Sequence, residues 1–134
     1  MEGRQPDPIP PAPGVLTALA AGEVSTSGIT AYTPLDGMTL IPGPGDVVAS
    51  FLTSVESDVA GVAFTFAVFL NGVKVAATET TVIVALANTP EPVVIHEAVT
   101  GVLAGDALDI RWKVDNGVAN VKSVLSRVFV VVRG

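Results

Sequence analysis

The chain contains no cysteine and a single histidine, His96. The absence of cysteine excludes disulfide scaffolds, thiolate zinc sites and cysteine nucleophiles. Imidazole metal sites need two or three histidines, and no Gly-x-Ser-x-Gly elbow accompanies His96. Because His96 lies in a strand-like segment, we interpret it as a strand-surface or interface residue, one that would make an interface sensitive to pH. We therefore expect no cofactor, no metal and no enzymatic activity.

Positive charge and aromatic residues are also scarce. Lys and Arg number 7 against 13 Asp and Glu, for a net charge of -6, which repels phosphate backbones and anionic lipids. We expect neither nucleic acid nor membrane as a partner. Aromatic residues make up 5% of the chain, which disfavours a lectin or a base-stacking platform, and only Trp112 and Tyr32 remain candidates for stacking on a ligand.

Motifs for bound ions and nucleotides are absent as well. The sequence has no phosphate-binding glycine loop and no Asp-x-Asp-x-Asp calcium loop. Five aspartates lie in predicted turns, where an aspartate is favoured because its side chain accepts backbone hydrogen bonds. We interpret them as turn residues rather than calcium ligands: Asp36, Asp46, Asp58, Asp106 and Asp115.

The N-terminal segment, residues 1–14, is rich in proline, with prolines at positions 6, 8, 10, 11 and 13. Proline fixes φ and removes a backbone donor, so this segment predicts an extended arm that can lie along a neighbour. Ile9, Pro10 and Pro11 are our candidates for anchoring it to a partner, although a frayed terminus explains the composition equally well. Charged residues and prolines stand where a signal peptide has an apolar run, so we expect synthesis in a host cytoplasm without one.

Residues 15–134 form the second predicted unit, in which short runs of Val, Ile, Thr and Phe alternate with turn residues. Such runs are typical of β-strands, and about eight to ten of them predict an all-β sandwich of two antiparallel sheets. One long strand is predicted over 73–87, and only 14–22 is compatible with a helix. At 49% hydrophobic residues, the composition also predicts apolar surface that is buried against partner chains.

Two local patterns are especially clear. Asn71-Gly72 between two apolar runs predicts a type I′ hairpin turn, because both residues tolerate a positive φ. Apolar and charged residues alternate over 108–114, which predicts a strand with one buried and one solvated face. We expect four aromatic residues of these strands to pack in the core or in a trimer contact: Phe64, Phe66, Phe69 and Trp112.

Taken together, these segments resemble the trimeric tumour-necrosis-factor-like and complement-globular-head-like jelly rolls, especially those of bacteriophage virion proteins and bacterial surface fibres. The resemblance covers Val24 to Arg133, departs at Gly45-Asp46-Val47, where an aromatic residue is common in the family, and implies a jelly roll that assembles as a homotrimer. The segments that carry it are 32–42, 45–51, 69–75, 104–112 and 127–132.

The leading hypothesis is a virion structural protein: a trimeric capsid decoration or head-stabilising protein on the capsid exterior, held by its N-terminal arm to the major capsid protein or another virion protein. One alternative is the head domain of a phage or bacterial surface fibre, which predicts a glycan- or receptor-binding groove with convergent Asp, Asn and Trp112. A small hydrolase on a sandwich scaffold is the third reading, and it is disfavoured because no base is well placed.

Overall fold

The computed structural model describes residues 14–26, 29–115 and 122–133, and these residues are almost entirely strand. Short β-branched runs interrupted by glycine and asparagine account for this, since such residues pack well on a pleated surface. The strands are β1 Gly14–Ala20, β2 Val24–Thr26, β3 Thr33–Leu40, β4 Gly45–Ser57, β5 Ala63–Leu70, β6 Val73–Lys74, β7 Thr80–Ile83, β8 Glu91–Val102, β9 Leu108–Val114, β10 Lys122–Val124 and β11 Arg127–Arg133.

Two antiparallel sheets form a sandwich, which confirms the predicted fold class. In sheet A, β4 pairs with β8 along one edge and with β10 and β11 along the other, and β2 and β1 pair with β10 and β11 in turn. In sheet B the order is β3, β9, β5, and β6 and β7 pair end to end with successive parts of the other edge of β5. Each sheet thus has four strand positions, and the chain moves between the sheets in the manner of a jelly roll.

The core between the sheets is apolar and aromatic. On β4, Phe51 faces inward and contacts Phe66 of sheet B with ring centroids 5.5 Å apart. Trp112 stacks against both Phe64 and Phe66, at 6.2 Å in each case. These rings are 0 to 2% exposed, so they join the two sheets and exclude water from the centre.

The hairpin prediction is confirmed. Asn71 and Gly72 have φ values of 48° and 83°, and Leu70 pairs with Val73 across the two-residue turn. The predicted solvated face of β9 is only partly right, because Asp109 is buried and Arg111 and Lys113 are half-buried.

The segment 14–22, the only one compatible with a helix, forms the strand β1 because it pairs with β11 from Gly14 to Ala20. One prediction is wrong. The predicted strand over 73–87 is broken after Lys74 by a 3-10 turn, Ala76–Thr78. There the Thr78 hydroxyl accepts a hydrogen bond from the Val68 amide at 2.8 Å and donates to the Val75 carbonyl at 2.7 Å, so a side chain replaces the sheet partner.

Candidate functional site

The outer face of sheet A carries three cross-strand rows of side chains without a formal charge. Strand register places one residue from each of β1, β11, β4 and β8 in every row, on the side opposite to core residues such as Phe129, Phe51 and Ile95. We call this surface the uncharged face. Its rows are Val15, Val132, Val48 and Ala98; Thr17, Val130, Ser50 and His96; and Leu19, Val128, Leu52 and Val94.

Several apolar side chains of the uncharged face are open to solvent. Leu19 is 76% exposed, Val94 56% and Leu52 48%. Exposed apolar patches of a few hundred Å² often mark a contact with another molecule. The sequence of β11 explains part of this exposed apolar surface, because the strand has valines on both of its sides. In a strand with one solvated face, apolar residues normally alternate with polar ones.

Ser50 and His96 form the polar centre of this face. They are direct cross-strand partners on β4 and β8, and a hydrogen bond of 2.7 Å joins the Ser50 hydroxyl to Nδ1 of His96. The neighbouring outward residues on these strands and on β11 are Val130, Leu52 and Val94, none of which ionises.

This pair does not have the geometry of a hydrolytic site. In a serine hydrolase triad the serine binds Nε2, and an acid holds Nδ1 in the correct tautomer. Here Ser50 itself occupies Nδ1, and no carboxylate lies in the row. The larger hollow on this side, about 620 Å³, is lined by Leu19, Leu52 and Pro92 among others, but not by Ser50 or His96. The arrangement suits contact with a surface better than turnover of a substrate.

Arg127 is one of the residues that line the hollow. The side chain is only 5% exposed, and its guanidinium donates hydrogen bonds to the carbonyl oxygens of Gly22 at 2.7 Å and Asp36 at 2.9 Å. Burial lowers the pKa of Arg127, and the nearby Asp36 partly opposes that effect. These hydrogen bonds connect the start of β11 to the loop before β2 and to Asp36 within β3.

The outer face of sheet B is different, because its charges are paired with one another. Glu79 accepts hydrogen bonds from the Tyr32 hydroxyl and, at 2.9 Å, from Nζ of Lys74. The hydrogen bond from Tyr32, followed by that from Lys74, holds the pKa of Glu79 below its ordinary value. Burial, followed by the Glu79 carboxylate, raises the pKa of Tyr32.

Aromatic and cationic side chains complete this surface. Phe69 packs edge to face on Tyr32, with centroids 5.1 Å apart, and the Arg111 guanidinium lies 4.6 Å from the centre of the Phe69 ring. Arg111 also pairs with Asp109 at 2.8 Å, and Lys113 lies over the Tyr32 ring. Sheet B thus presents a polar surface that satisfies its own charges, and it resembles a solvated face.

The residues predicted for function fall into three groups. Ile9, Pro10 and Pro11 lie outside the described residues. Phe64, Phe66 and Trp112 are in the core of a single chain. Phe69 is buried as well, but on the outer side of sheet B.

The groove expected around Trp112 is not formed, because that ring is 2% exposed between Phe64 and Phe66. Tyr32, the other proposed stacking residue, is engaged by Glu79 and Phe69. A glycan therefore cannot stack on Trp112 in this fold.

Of the five aspartates predicted to lie in turns, Asp106 accepts a hydrogen bond from the backbone of its own turn, as predicted. Asp36 and Asp46 instead lie in the strands β3 and β4, and the hydrogen bonds to Asp46 and Asp115 come from distant segments of the chain. Asp46 accepts from the Gly101 amide at 3.0 Å, Asp106 from Leu103 at 3.0 Å and Asp115 from Ala63 at 3.1 Å. Within the described part of the chain, no three acidic or histidine side chains converge as a metal site would require. The same residues contain no helix with the length and apolarity of a membrane span.

The Ser50–His96 pair and the uncharged face were missed in the sequence because they depend on strand register. The only signal was the run 128–132, which is apolar on both sides of the strand and indicates a strand covered on both sides.

Comparison with known proteins identifies the fold. The chain matches no protein-family model and no curated protein. The crystal structure of the infectious bursal disease virus VP2 subviral particle aligns with a TM-score of 0.62 at 12% identity over 99% of this chain. The structure of the Gx strain of infectious bursal disease virus aligns with a TM-score of 0.62 at 15% identity over 100% of this chain. Eiger TNF from S. frugiperda gives a TM-score of 0.45 at 11% identity, over 90% of this chain and 92% of its own length.

This chain spans 36% of the matched VP2 chain and 38% of the matched chain of the Gx strain. At such low identity the likeness establishes a shared fold, a β-sandwich of the viral jelly-roll type.

Proposed function

We propose that the chain is a virion structural protein, a homotrimeric capsid decoration or head-stabilising protein of a bacteriophage. The observation that carries this proposal is the uncharged face of sheet A, whose exposed Leu19, Leu52 and Val94 need cover from another subunit. The same fold occurs in VP2 of infectious bursal disease virus, a protein that forms subviral particles. A jelly roll with one apolar outer face is suited to assembly.

A structural role also agrees with the charges of the molecule. The net charge of -6 opposes contact with packaged nucleic acid, so the capsid exterior is the favourable place for the protein. Its one serine–histidine pair lacks the acid and the cleft that catalysis needs. We therefore propose a non-enzymatic protein that binds copies of itself and the major capsid protein.

Attachment is assigned to the proline-rich arm. Gly14, which directly follows these prolines in the sequence, is the first residue of β1 and pairs with Arg133 at one end of sheet A. Thirteen residues in a polyproline conformation reach about 40 Å, which is enough to cross a neighbouring capsid subunit. Ile9, Pro10 and Pro11 supply the apolar contacts, at a small entropic cost because proline is already restricted.

The test is co-sedimentation with empty capsids of the virus that encodes this chain. The full chain, a deletion of residues 1–13 and an Ile9→Asp variant would be compared at equal concentration. We expect saturable binding of the full chain and at least about tenfold weaker binding of both variants. A folded control with Val73→Ser, which is exposed on sheet B, should bind like the wild type.

Binding that survives removal of the arm would overturn the attachment mechanism. Failure of every form to bind would overturn the decoration function and would favour the surface-fibre alternative.

A further inference from the structure

We infer that copies of this chain meet through the uncharged face of sheet A, and that the Ser50–His96 pair makes this contact weaken on acidification. The inference rests on the self-association part of the proposed function and adds where the contact lies and what controls it. Three properties of the face support a second copy as its occupant: its charge, its boundaries and its centre.

Charge is the first property. Each copy carries a net charge of -6, so two copies repel one another unless the charges are kept away from the contact. The rows of the uncharged face contain no Asp, Glu, Lys or Arg, although 15% of the chain is charged. A partner of opposite charge would find no counter-charges here, whereas the uncharged faces of three copies can converge on a three-fold axis without bringing like charges together.

The boundaries of the face have the pattern of an interface core within a polar rim. Four strands about 4.8 Å apart, over five residues of about 3.3 Å each, give roughly 300 Å² of flat surface. A standard interface buries about 800 Å² per partner, and its apolar centre occupies part of that area. Along the outward side of β4, Asp46 and Glu56 are the first charged residues beyond the two ends of the face.

At the centre, His96 is the one group of the rows that can gain a charge. Histidine takes up a proton between about pH 5 and 8. In a covered contact the cation would be removed from water without a carboxylate to pair with, and this penalty disfavours either the proton or the contact. The Ser50 hydroxyl can accept one hydrogen bond from the imidazolium but cannot neutralise it.

The charged groups on the surrounding elements do not compensate. On β4 they are Asp46 and Glu56, both beyond the rows. On β8 they are Glu91 near one end and Glu97, which pairs across from the inward-facing Ala49. Arg127 and Arg133 of β11 donate to backbone carbonyls at the two ends of the strand. β7 and the 3-10 turn beside β8 have no ionisable residue, and Glu79 after the turn binds Tyr32 and Lys74.

The expected change in association with pH is therefore opposite to the change that the net charge alone would produce. With an isoelectric point near 4.5, the molecule becomes less negative as the pH falls from 7.5 to 5.5, which by itself favours association. Protonation of His96 in the contact has the reverse effect. Association that weakens over this range is thus specific to the imidazole.

The experiment is sedimentation equilibrium of the full chain at pH 7.5 and pH 5.5, with three variants. His96→Asn keeps a partner for Ser50 but cannot be protonated. Leu52→Lys places a permanent charge in the face, and Val73→Lys places the same charge on β6 of sheet B, where Val73 is 69% exposed. Far-ultraviolet circular dichroism verifies that each variant is folded.

For the wild type we expect a dissociation constant at least about tenfold larger at pH 5.5 than at pH 7.5, the change that one proton coupled over about one pH unit produces. For His96→Asn the two values should agree within about twofold. Leu52→Lys should be monomeric at both pH values, while Val73→Lys should behave like the wild type.

The outcomes separate the two proposals. A wild type that is monomeric at pH 7.5 overturns the proposed self-assembly and this inference with it. An oligomer unaffected by Leu52→Lys overturns the assigned face but leaves the proposed function standing. An oligomer that Leu52→Lys dissociates, but whose affinity does not weaken at pH 5.5 or weakens equally in His96→Asn, overturns the role of His96.

Discussion

The polar side chains on the two outer faces of the sandwich have different surroundings. On sheet B, Glu79, Tyr32 and Lys74 satisfy one another within one chain. On sheet A, Ser50 and His96 form one neutral pair among aliphatic side chains. The first arrangement is complete in a monomer, while the second leaves apolar side chains exposed among the described residues.

Glu79→Gln tests the polar side of this contrast. Because the folded state lowers the pKa of Glu79, its carboxylate stabilises the fold above its ordinary pKa of about 4.5, and this contribution is lost as the pH falls through the lower folded value. Exposed pairs are weak, so we expect a loss of at most about 1 kcal/mol at pH 7. Urea unfolding of the wild type and the variant at pH 7 and pH 3 measures it.

The difference in the free energy of unfolding between the wild type and Glu79→Gln should be largest at pH 7 and smaller at pH 3. Glu97→Gln, which removes an exposed carboxylate from β8, is the matched control and should show a smaller effect at pH 7. A Glu79→Gln difference that grows towards pH 3 would contradict the assigned hydrogen bonds.

For single residues, the position of a side chain in the core was easier to predict than its partner on an outer face. Phe64, Phe66 and Trp112 were expected to pack, and their positions in the core follow from apolar alternation along β5 and β9. The pairing of Ser50 with His96 could not be predicted, because a shift of one residue in register would place each opposite a different partner.

Among the elements, the hairpin of β5 and β6 is specified most locally. Asn71 and Gly72 adopt the positive φ values that a type I′ turn needs, and the sequence shows both residues directly. The break after β6 was not visible in the sequence, since it depends on the hydrogen bonds of Thr78 with Val68 and Val75. β1 was ambiguous for a similar reason, because pairing with β11 decides its conformation.

Gly72→Ala tests the hairpin. Its φ of 83° is strained for a residue with a Cβ atom, so we expect a loss of about 1 to 2 kcal/mol in the free energy of unfolding, although nothing lies near the added methyl group. Gly22→Ala is the matched control, because that position is also open but does not have a positive φ. It should be neutral, or more stable by up to about 1 kcal/mol, in the same urea titration. Equal effects at the two positions would contradict the turn assignment.

For the whole molecule, the general architecture was predictable and its asymmetry was not. Strand-forming runs and turn residues were sufficient to predict a two-sheet jelly roll, and the high apolar content predicted buried contacts with other chains. Which surface is apolar depends on four strands from distant parts of the sequence, β1, β11, β4 and β8, lying side by side. This order is the physical basis of the proposed assembly.

The mass of the intact chain in solution at pH 7.5, measured by native mass spectrometry, tests the central claim most directly. A homotrimer assembled through sheet A would give a species of three chains, about 41 kDa from a chain mass of 13.6 kDa, held together without any covalent link. A species of 13.6 kDa at micromolar concentration would show that sheet A keeps its apolar face exposed in a monomer, and would contradict the account.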